Sequence, residues 1–255
     1  EDAGGRLLIL NIPHKNDFWV DYLPWYYERR GIPQQARAEA LLHNEWGYDV
    51  VDAGPLLEAH RDRMLYFRTD NHYSFEGAYY AYAALLERIR ALDPAHAYAL
   101  PAWEEMPSVT NPQNFEGHYC RSFGVVAGRY HDQVVYALPT DYPADYTRTN
   151  GGTVNTTPVV NDKAGYNAFM QDDWAQTTVD THRPDLPSIL LLGHSYTNAL
   201  EVLAVYHFNV MSSIDPRYYA GDLAQAVRDC AADYVVIVRD DLQVNRANYA
   251  NVHIQ

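Results

Sequence analysis

The 255-residue chain lacks any apolar run of membrane-spanning length and is poor in positive charge. Because a helix that crosses a bilayer needs about 20 predominantly apolar residues, no transmembrane segment is predicted. Lysine and arginine total 19 against 33 acidic residues, and they form no basic cluster. An acidic field of this kind disfavours nucleic acid and acidic membrane surfaces as partners. The first residues also lack a secretion signal, so we expect a mature or trimmed region.

Cysteine is nearly absent, since only Cys120 and Cys230 occur. Two cysteines are too few to define a disulfide framework, and they leave open both an extracellular disulfide and two buried thiols. They therefore do not identify the cellular compartment. No cluster with the spacing of a metal site stands out, and we predict neither a metal nor a cofactor.

Strand-like and helix-like segments alternate at both ends of the chain, and this alternation predicts an α/β fold with a parallel sheet. Apolar runs predict strands at residues 7–12, 48–52, 189–192, 209–214 and 234–238. Helical patterns occur at residues 34–43, 75–92 after an N-cap at Ser74, 198–206 and 221–230.

The middle of the chain has a different composition, dense in Asn, Thr, Asp, Gly and Pro. It contains only short strand-like pieces, at 123–126 and 133–136. We therefore predict one domain over 1–255, with its core built from 1–100 and 188–255 and an irregular or β-rich insertion at 101–187.

Ser195 lies where the apolar strand 189–192 gives way to a predicted helix. A serine at such a turn projects its hydroxyl beyond the carboxyl end of the strand, where ligands of open parallel sheets bind. Free N–H groups at the helix start can stabilise a developing oxyanion there. The run Gly-His-Ser-Tyr-Thr-Asn at 193–198 is therefore a candidate site for nucleophilic catalysis.

Asp70 and His72 form a candidate base for that serine, because a hydroxyl is a weak nucleophile until an imidazole accepts its proton. The two residues lie two apart in a loop before the helix 75–92. The Asp70 carboxylate would orient the His72 ring, and His72 would accept the Ser195 proton. An Asp-x-His triplet also arises by chance, and an Asp–His hydrogen bond that only anchors a loop is the alternative.

Several sequence blocks occur together in one order. Residues 68–82 read Arg-Thr-Asp-Asn-His-Tyr-Ser-Phe-Glu-Gly-Ala-Tyr-Tyr-Ala-Tyr, residues 166–169 read Tyr-Asn-Ala-Phe, and residues 195–198 read Ser-Tyr-Thr-Asn. Tyr-His at 206–207 and Ile-Asp-Pro-Arg-Tyr-Tyr at 214–219 follow. In order and spacing these blocks resemble the bacterial DHHW protein family, whose pattern runs Thr-Asp-His-His-Trp, then Gly-Ala-Tyr, and later Asp-Ser-Tyr-Ala-Asn.

The DHHW family in turn resembles SGNH hydrolase-like proteins, which include the periplasmic factors that O-acetylate alginate. The resemblance implies a flavodoxin-like, SGNH-type α/β/α sandwich, export to the cell surface or extracellular space, and acetyl-ester chemistry on a polysaccharide. It implies that Ser195 is the nucleophile, His72 the general base and Asp70 its orienting partner.

The resemblance also implies residues that bind the oxyanion and the substrate. Backbone N–H groups of Ser195 and Tyr196 would form part of an oxyanion hole, and Asn198 and Arg217 would be further donors. Tyr73 would border the acceptor site. For Arg217, a structural salt bridge is the alternative.

Three positions depart from the family pattern: Asn71 replaces a histidine, Tyr73 a tryptophan and His194 the aspartate before the serine. That aspartate usually braces the turn through backbone hydrogen bonds, so its loss changes the turn and leaves the three catalytic residues in place. His194 has three interpretations: a plain loop histidine, a second imidazole near Ser195, or the third ligand of a metal site with Asp70 and His72.

Two functions from different classes follow. The first is an exported acyltransferase or esterase that forms acetyl-Ser195 and passes the acetyl group to a sugar hydroxyl or to water. The alternative is a catalytically weak member that binds carbohydrate or scaffolds a membrane-bound O-acyltransferase, with Asn71, Tyr73 and His194 as signs of drift. The acidic field favours a neutral or basic glycan over a polyuronate.

Overall fold

An eight-stranded mixed sheet organises the chain in a computed structural model, which describes residues 4–23, 41–45, 47–96, 98–123, 129–137, 143–158 and 163–240. The strands are β1 Arg6–Ile12, β2 Asp49–Asp52, β3 Ser108–Thr110, β4 Val135–Ala137, β5 Asp145–Asn150, β6 Thr153–Asn155, β7 Gln176–Asp180, β8 Ile189–Leu192, β9 Val210–Ile214 and β10 Tyr234–Asp240. The sheet order is β2-β1-β10-β8-β9-β7-β5-β6, and β3 pairs with β4 in a separate ribbon.

Five neighbouring strands, β2, β1, β10, β8 and β9, are parallel. They are the five strands that the apolar runs predict, and the α/β prediction with a parallel sheet is confirmed. Strands buried on both faces are nearly continuous apolar runs, which is why they are visible in the sequence. The last strand, β10, lies between β1 and β8, so that β8 and its carboxyl end are central in the sheet.

The insertion is β-rich, as predicted, and it extends the main sheet. Strand β7 pairs antiparallel with β9, β5 with β7, and β6 with β5. The sequence does not reveal β5 and β7, because both strands are rich in polar residues and bury only one face; they are Asp145–Asn150 and Gln176–Asp180. The prediction of a strand at 123–126 is wrong at Phe123, which is the last residue of a helix. Residues 124–126 lie outside the described residues.

Six α-helices are described: α1 Lys15–Phe18, α2 Gly54–Ala59, α3 Phe75–Leu92, α4 His118–Phe123, α5 Thr197–Ala204 and α6 Leu223–Cys230. Single turns of other helix types occur at Val20–Tyr22, Leu41–Glu45, Trp103–Glu105 and Tyr166–Ala168. The predicted N-cap is confirmed, since Ser74 Oγ accepts the N–H of Gly77 at 3.1 Å. Most of the helix predicted at 34–43 lies outside the described residues.

Helices pack on both faces of the sheet and complete a three-layer α/β/α fold. The main core combines α3 and α5 with side chains of β1, β8 and β10 on one face. On the other face, Ala226 of α6 packs against Leu190 and Ile214. Alternate residues of β8 thus enter the two cores, as the two-residue period of a strand requires.

Two further predictions concern membranes and cysteine. No helix in the described ranges is long and apolar enough to cross a membrane. Cys120 and Cys230 are both free thiols, Cys120 buried and Cys230 partly buried, so no disulfide joins them.

Gly77 permits the close approach of α3 to the chain before it. A methyl group there would lie 2.1 Å from the Leu65 carbonyl oxygen. We expect Gly77→Ala to lower the free energy of unfolding by about 1–3 kcal/mol, because this overlap outweighs alanine's better helix propensity. Urea denaturation measures the change. Gly54→Ala is the control, because its methyl would meet side chains and no backbone atom, Asp52 Oδ1 at 3.0 Å and Pro13 Cγ at 3.4 Å; equal effects would contradict the steric account.

Candidate active site

Ser195 lies in the tight turn between β8 and α5. The turn closes through the Thr197 N–H, which donates to the His194 carbonyl at 2.7 Å, and the Asn198 N–H, which donates to the Ser195 carbonyl at 3.2 Å. Gly193 is needed at its start, since a Cβ there would lie 2.7 Å from Thr197 Cγ2. Ser195 is 8% exposed, so its hydroxyl lies at the edge of the core.

Ser195, His72 and Asp70 form one continuous chain of hydrogen bonds. The distance from Ser195 Oγ to His72 Nε2 is 2.7 Å. On the other side of the ring, His72 Nδ1 is 2.6 Å from Asp70 Oδ1. With Nδ1 donating to the carboxylate, Nε2 is the acceptor that faces the serine hydroxyl. The arrangement can transfer a proton from serine to imidazole while a carboxylate balances the imidazolium charge.

Asp70 remains an anion at neutral pH. Burial opposes its ionisation, but hydrogen bonds from the His72 side chain, the positive charge that His72 acquires and backbone N–H donors together hold the pKa of Asp70 well below its usual range. Those donors are the N–H groups of His72, at 3.0 Å, and His118, at 2.8 Å. Gly117 permits the close approach of the insertion to Asp70, because a methyl group at position 117 would lie 2.4 Å from Asp70 Cβ.

The loop that carries Asp70 and His72 is fixed by two charged residues that belong to no recognisable sequence motif, Asp132 and Lys15. The buried Asp132 carboxylate accepts the N–H groups of Arg68, at 2.9 Å, and Thr69, at 2.7 Å, as well as the Thr69 hydroxyl. Lys15 Nζ donates to the carbonyls of Phe67, Arg68 and Asp70 at 2.5, 3.1 and 2.9 Å. Burial lowers the pKa of Lys15 to about 8, against the opposing charges of Asp132 and Asp70.

Two tyrosines join the histidine loop to the serine turn on both sides of His72. The Tyr196 hydroxyl donates to the Asn71 carbonyl at 2.8 Å, and the Tyr73 hydroxyl donates to the Tyr196 carbonyl. Tyr73 has no exposed surface. The prediction that Tyr73 borders the acceptor site is therefore wrong: its polar end is used inside the core, where a buried hydroxyl needs a partner.

Tyr166 orients the His72 ring from a third side. The two rings stack at 3.9 Å between centroids and 11° between planes. Tyr166 belongs to the insertion, so this region supplies contacts to the site as well as strands to the sheet. The signal in the sequence is the block 166–169, which carries part of the family resemblance but suggests no role by itself.

His194 acts as a structural residue of the turn. Its Nδ1 accepts the Tyr196 N–H over a long 3.4 Å, a backbone contact of the kind expected for the aspartate it replaces. Burial and the positive charge of Arg217 lower its pKa to about 3, so the ring is neutral. Nε2 then carries the proton and lies 3.7 Å from Asp240 Oδ2, beyond hydrogen-bond distance.

No hydrogen bond or ion pair in the described residues joins His194 to Ser195, Asp70 or His72. Within the same residues, no group of three or more histidine, cysteine, aspartate or glutamate side chains is arranged to hold a metal ion. The interpretations of His194 as a second imidazole on Ser195 and as a metal ligand thus find no supporting contact.

Asn198 and Arg217 converge on Asp173 from the insertion, instead of on Ser195. The Asn198 amide donates to Asp173 Oδ1 at 2.8 Å, and Arg217 pairs with Asp215 at 2.6 Å and Asp173 at 3.3 Å. The structure therefore favours the salt-bridge alternative for Arg217. Among backbone donors, the Tyr196 N–H faces His194, whereas the Ser195 N–H meets no acceptor in the described part of the chain. The Ser195 N–H is the donor available to an oxyanion.

A groove of about 760 Å³ is lined in part by the loop that Lys15 and Asp132 fix, through Phe67, Arg68 and Thr69. Aromatic side chains line much of it, among them Trp19, Tyr22, Tyr119 and Tyr130. Its wall includes Thr69 but none of Ser195, His72 and Asp70, so it is a neighbour of the hydrogen-bonded chain and not part of it.

Together, the three-layer fold and the serine at the end of a central parallel strand define an SGNH hydrolase-like protein. The chain belongs to the family described as SGNH hydrolase-like domain, acetyltransferase AlgX, which matches residues 1–209. A comparison with curated protein sequences found no match.

Solved structures show the same fold. A DHHW family protein from Eubacterium siraeum DSM 15702 is 20% identical and has a TM-score of 0.80; the alignment covers 97% of this chain and 82% of that protein's chain. Bacillus cereus PatB1 with a sulfonyl adduct is 18% identical, with coverages of 95% and 83% and a TM-score of 0.76. The O-acetyltransferase domain of Pseudomonas putida AlgJ is 15% identical, with coverages of 100% and 81% and a TM-score of 0.55.

Asp132→Asn tests how the histidine loop is fixed. An amide has one acceptor oxygen where the carboxylate has two, so at least one buried donor of Arg68 or Thr69 would lose its partner. We expect the free energy of unfolding to fall by about 1–3 kcal/mol, measured by urea denaturation. Asp62→Asn, at an exposed position, is the control. An Asp132→Asn protein as stable as the control would show that the loop does not depend on this carboxylate.

Proposed function

We propose that the chain is an exported O-acetyltransferase or acetylesterase that acts on a polysaccharide through Ser195, His72 and Asp70. The observation that carries this proposal is the unbroken hydrogen-bonded chain with contacts of 2.7 and 2.6 Å. Membership of an acetyltransferase family and likeness to an O-acetyltransferase domain support the acetyl group as the one transferred.

The first half of the reaction forms an acetyl-enzyme. Ser195 Oγ attacks the acetyl carbonyl carbon while its proton passes to His72 Nε2. The Ser195 N–H stabilises the oxyanion that develops on the carbonyl oxygen. When the intermediate collapses, the alcohol of the donor leaves with the proton from His72. Ionised Asp70 stabilises the transient imidazolium throughout.

The second half returns the enzyme to its starting state. A sugar hydroxyl or water gives its proton to His72 Nε2 and attacks the acetyl carbon of acetyl-Ser195. Collapse of the second oxyanion breaks the bond to Ser195 Oγ, which recovers its proton from His72. The product is an acetylated sugar after transfer, or acetate after hydrolysis, and the same residues serve both outcomes.

The aromatic groove beside the site is the acceptor surface in this proposal. Rigid aromatic faces provide large contact areas for sugar rings, and Tyr22 and Tyr130 are 78% and 48% exposed. An excess of 33 acidic over 19 basic residues favours a neutral or basic glycan. A membrane-bound O-acyltransferase that supplies the acetyl group is the expected partner, and the expected location is extracellular or at the cell surface.

Kinetics with p-nitrophenyl acetate test the catalytic roles. We expect Ser195→Ala to abolish enzyme-dependent release of p-nitrophenol, and Asp70→Asn to lower kcat by roughly 10²–10⁴-fold, because the His72 tautomer and the imidazolium lose their partner. Ser122→Ala, an exposed serine on α4, is the matched control and should behave as the parent. Equal rates for the parent and Ser195→Ala would instead favour the carbohydrate-binding or scaffolding alternative.

Substitution in the groove tests the acceptor surface. We expect Trp19→Ala to raise the KM for a neutral oligosaccharide acceptor by roughly tenfold, or about 1.4 kcal/mol of binding free energy, since the sugar ring loses a large aromatic contact face. The rate with p-nitrophenyl acetate and water should stay near that of the parent. Trp174→Ala, in the insertion and outside the groove, is the control; a Trp19→Ala protein with unchanged KM would place the acceptor elsewhere.

A further inference from the structure

Glu201 is a buried carboxyl group that the proposed reaction does not use. It lies on α5, one turn after Thr197, and is 3% exposed. Its Oε1 is 2.9 Å from Thr197 Oγ1. The same hydroxyl oxygen is 3.0 Å from the His194 carbonyl oxygen. Thr197 therefore connects the carboxyl group to the backbone of the serine turn.

The Thr197 hydroxyl has too few protons to donate to both of its neighbours. A hydroxyl group has one proton to donate, and a carbonyl oxygen can only accept. If Thr197 donates to His194, a full second hydrogen bond forms only when Glu201 itself donates to Thr197 Oγ1. With an ionised Glu201 the single Thr197 proton is shared between two acceptors, so both contacts are full hydrogen bonds only when Glu201 is protonated.

The surroundings of Glu201 favour the neutral acid. Burial raises its pKa to about 7, against hydrogen bonds from Ser213 and Thr197, and the negative charges of Asp173 and Asp215 raise it further. Tyr73 and Arg148 are further ionisable groups that interact with Glu201. Arg148 forms no ion pair with Glu201 in the described residues, and its guanidinium donates to the carbonyl of Met170 and to Gln171.

The His194 carbonyl belongs to the peptide unit that also contains the Ser195 N–H. It accepts two hydrogen bonds, from the N–H of Thr197 at 2.7 Å and from its hydroxyl. In a planar trans peptide the C=O and N–H point in opposite directions, so fixing one fixes the other. We propose that protonated Glu201 is a positioning residue, which acts through Thr197 to fix the His194–Ser195 peptide and aim the Ser195 N–H at the oxyanion.

The consequence for the reaction depends on pH, and it rests on the proposed function. Below pH 7 Glu201 donates to Thr197, and Thr197 donates to the His194 carbonyl. As the pH rises through about 7, the Glu201 carboxylate becomes an acceptor and competes with the His194 carbonyl for the Thr197 proton. Activity should therefore fall on the alkaline side. The acid side of the pH profile should not involve Glu201.

Glu201→Gln is the first test, because its amide is a donor at every pH. We expect it to retain the kcat that the parent shows at mildly acidic pH and to lack the parent's decline near pH 7 in p-nitrophenyl acetate turnover. Thr197→Val should lower kcat by roughly tenfold at mildly acidic pH, where the parent has both hydrogen bonds of Thr197, and should lack the parent's decline near pH 7; KM should change little. This loss is smaller than the roughly 10²–10³-fold loss on removing an oxyanion donor itself. Thr197→Ser, which keeps the hydroxyl, should restore kcat.

A spectroscopic test does not depend on turnover. Infrared difference spectra between the parent and Glu201→Gln should show the C=O stretch of a protonated carboxyl group that disappears near pH 7. An ionised Glu201 at mildly acidic pH, or a decline in activity that Glu201→Gln leaves unchanged, would overturn the positioning role. Absence of Ser195-dependent turnover would overturn the proposed function, while the infrared titration would still decide the protonation of Glu201.

Discussion

The contact between His72 and Ser195 is the constraint on which the site depends. The two residues are 123 positions apart in the chain and 2.7 Å apart in space. A displacement of about 1 Å between reacting groups can cost a hundredfold in rate, so a loop and a turn from distant elements must keep a fixed separation. The tyrosine hydroxyls at positions 73 and 196 provide this link, because each donates to backbone across the gap.

Buried charge and hydrogen bonding fix the two halves of the site separately. At the histidine loop, Asp132 accepts hydrogen bonds from backbone N–H groups and Lys15 donates to backbone carbonyls. The polar backbone groups of a segment without regular secondary structure therefore have partners. On the turn, His194 takes over the backbone contact expected of the aspartate it replaces. The unusual residue therefore contacts the backbone of the turn through a ring that is neutral.

Much of the fold and the central part of the site could be predicted from the sequence, for a physical reason. Apolar strands and the helix cap at Ser74 are local patterns, and Asp70, His72 and Ser195 are reactive residue types at recognisable loops. Residues whose role depends on a distant partner could not be found this way. Lys15, Asp132 and Tyr166 look like ordinary surface or core positions until the fold places them against the 67–72 loop. The prediction for Tyr73 is wrong because an aromatic residue in a polar loop gives no sign of complete burial.

The central claim is that Ser195 forms a covalent acetyl-enzyme with His72 as its base. Mass spectrometry of the protein after rapid mixing with an activated acetyl ester and acid quenching tests it most directly. The account predicts an adduct of one acetyl group, located by peptide mapping on Ser195, absent from Ser195→Ala and strongly reduced in His72→Ala. An adduct that maps to another residue, or that forms equally in all three proteins, would contradict it.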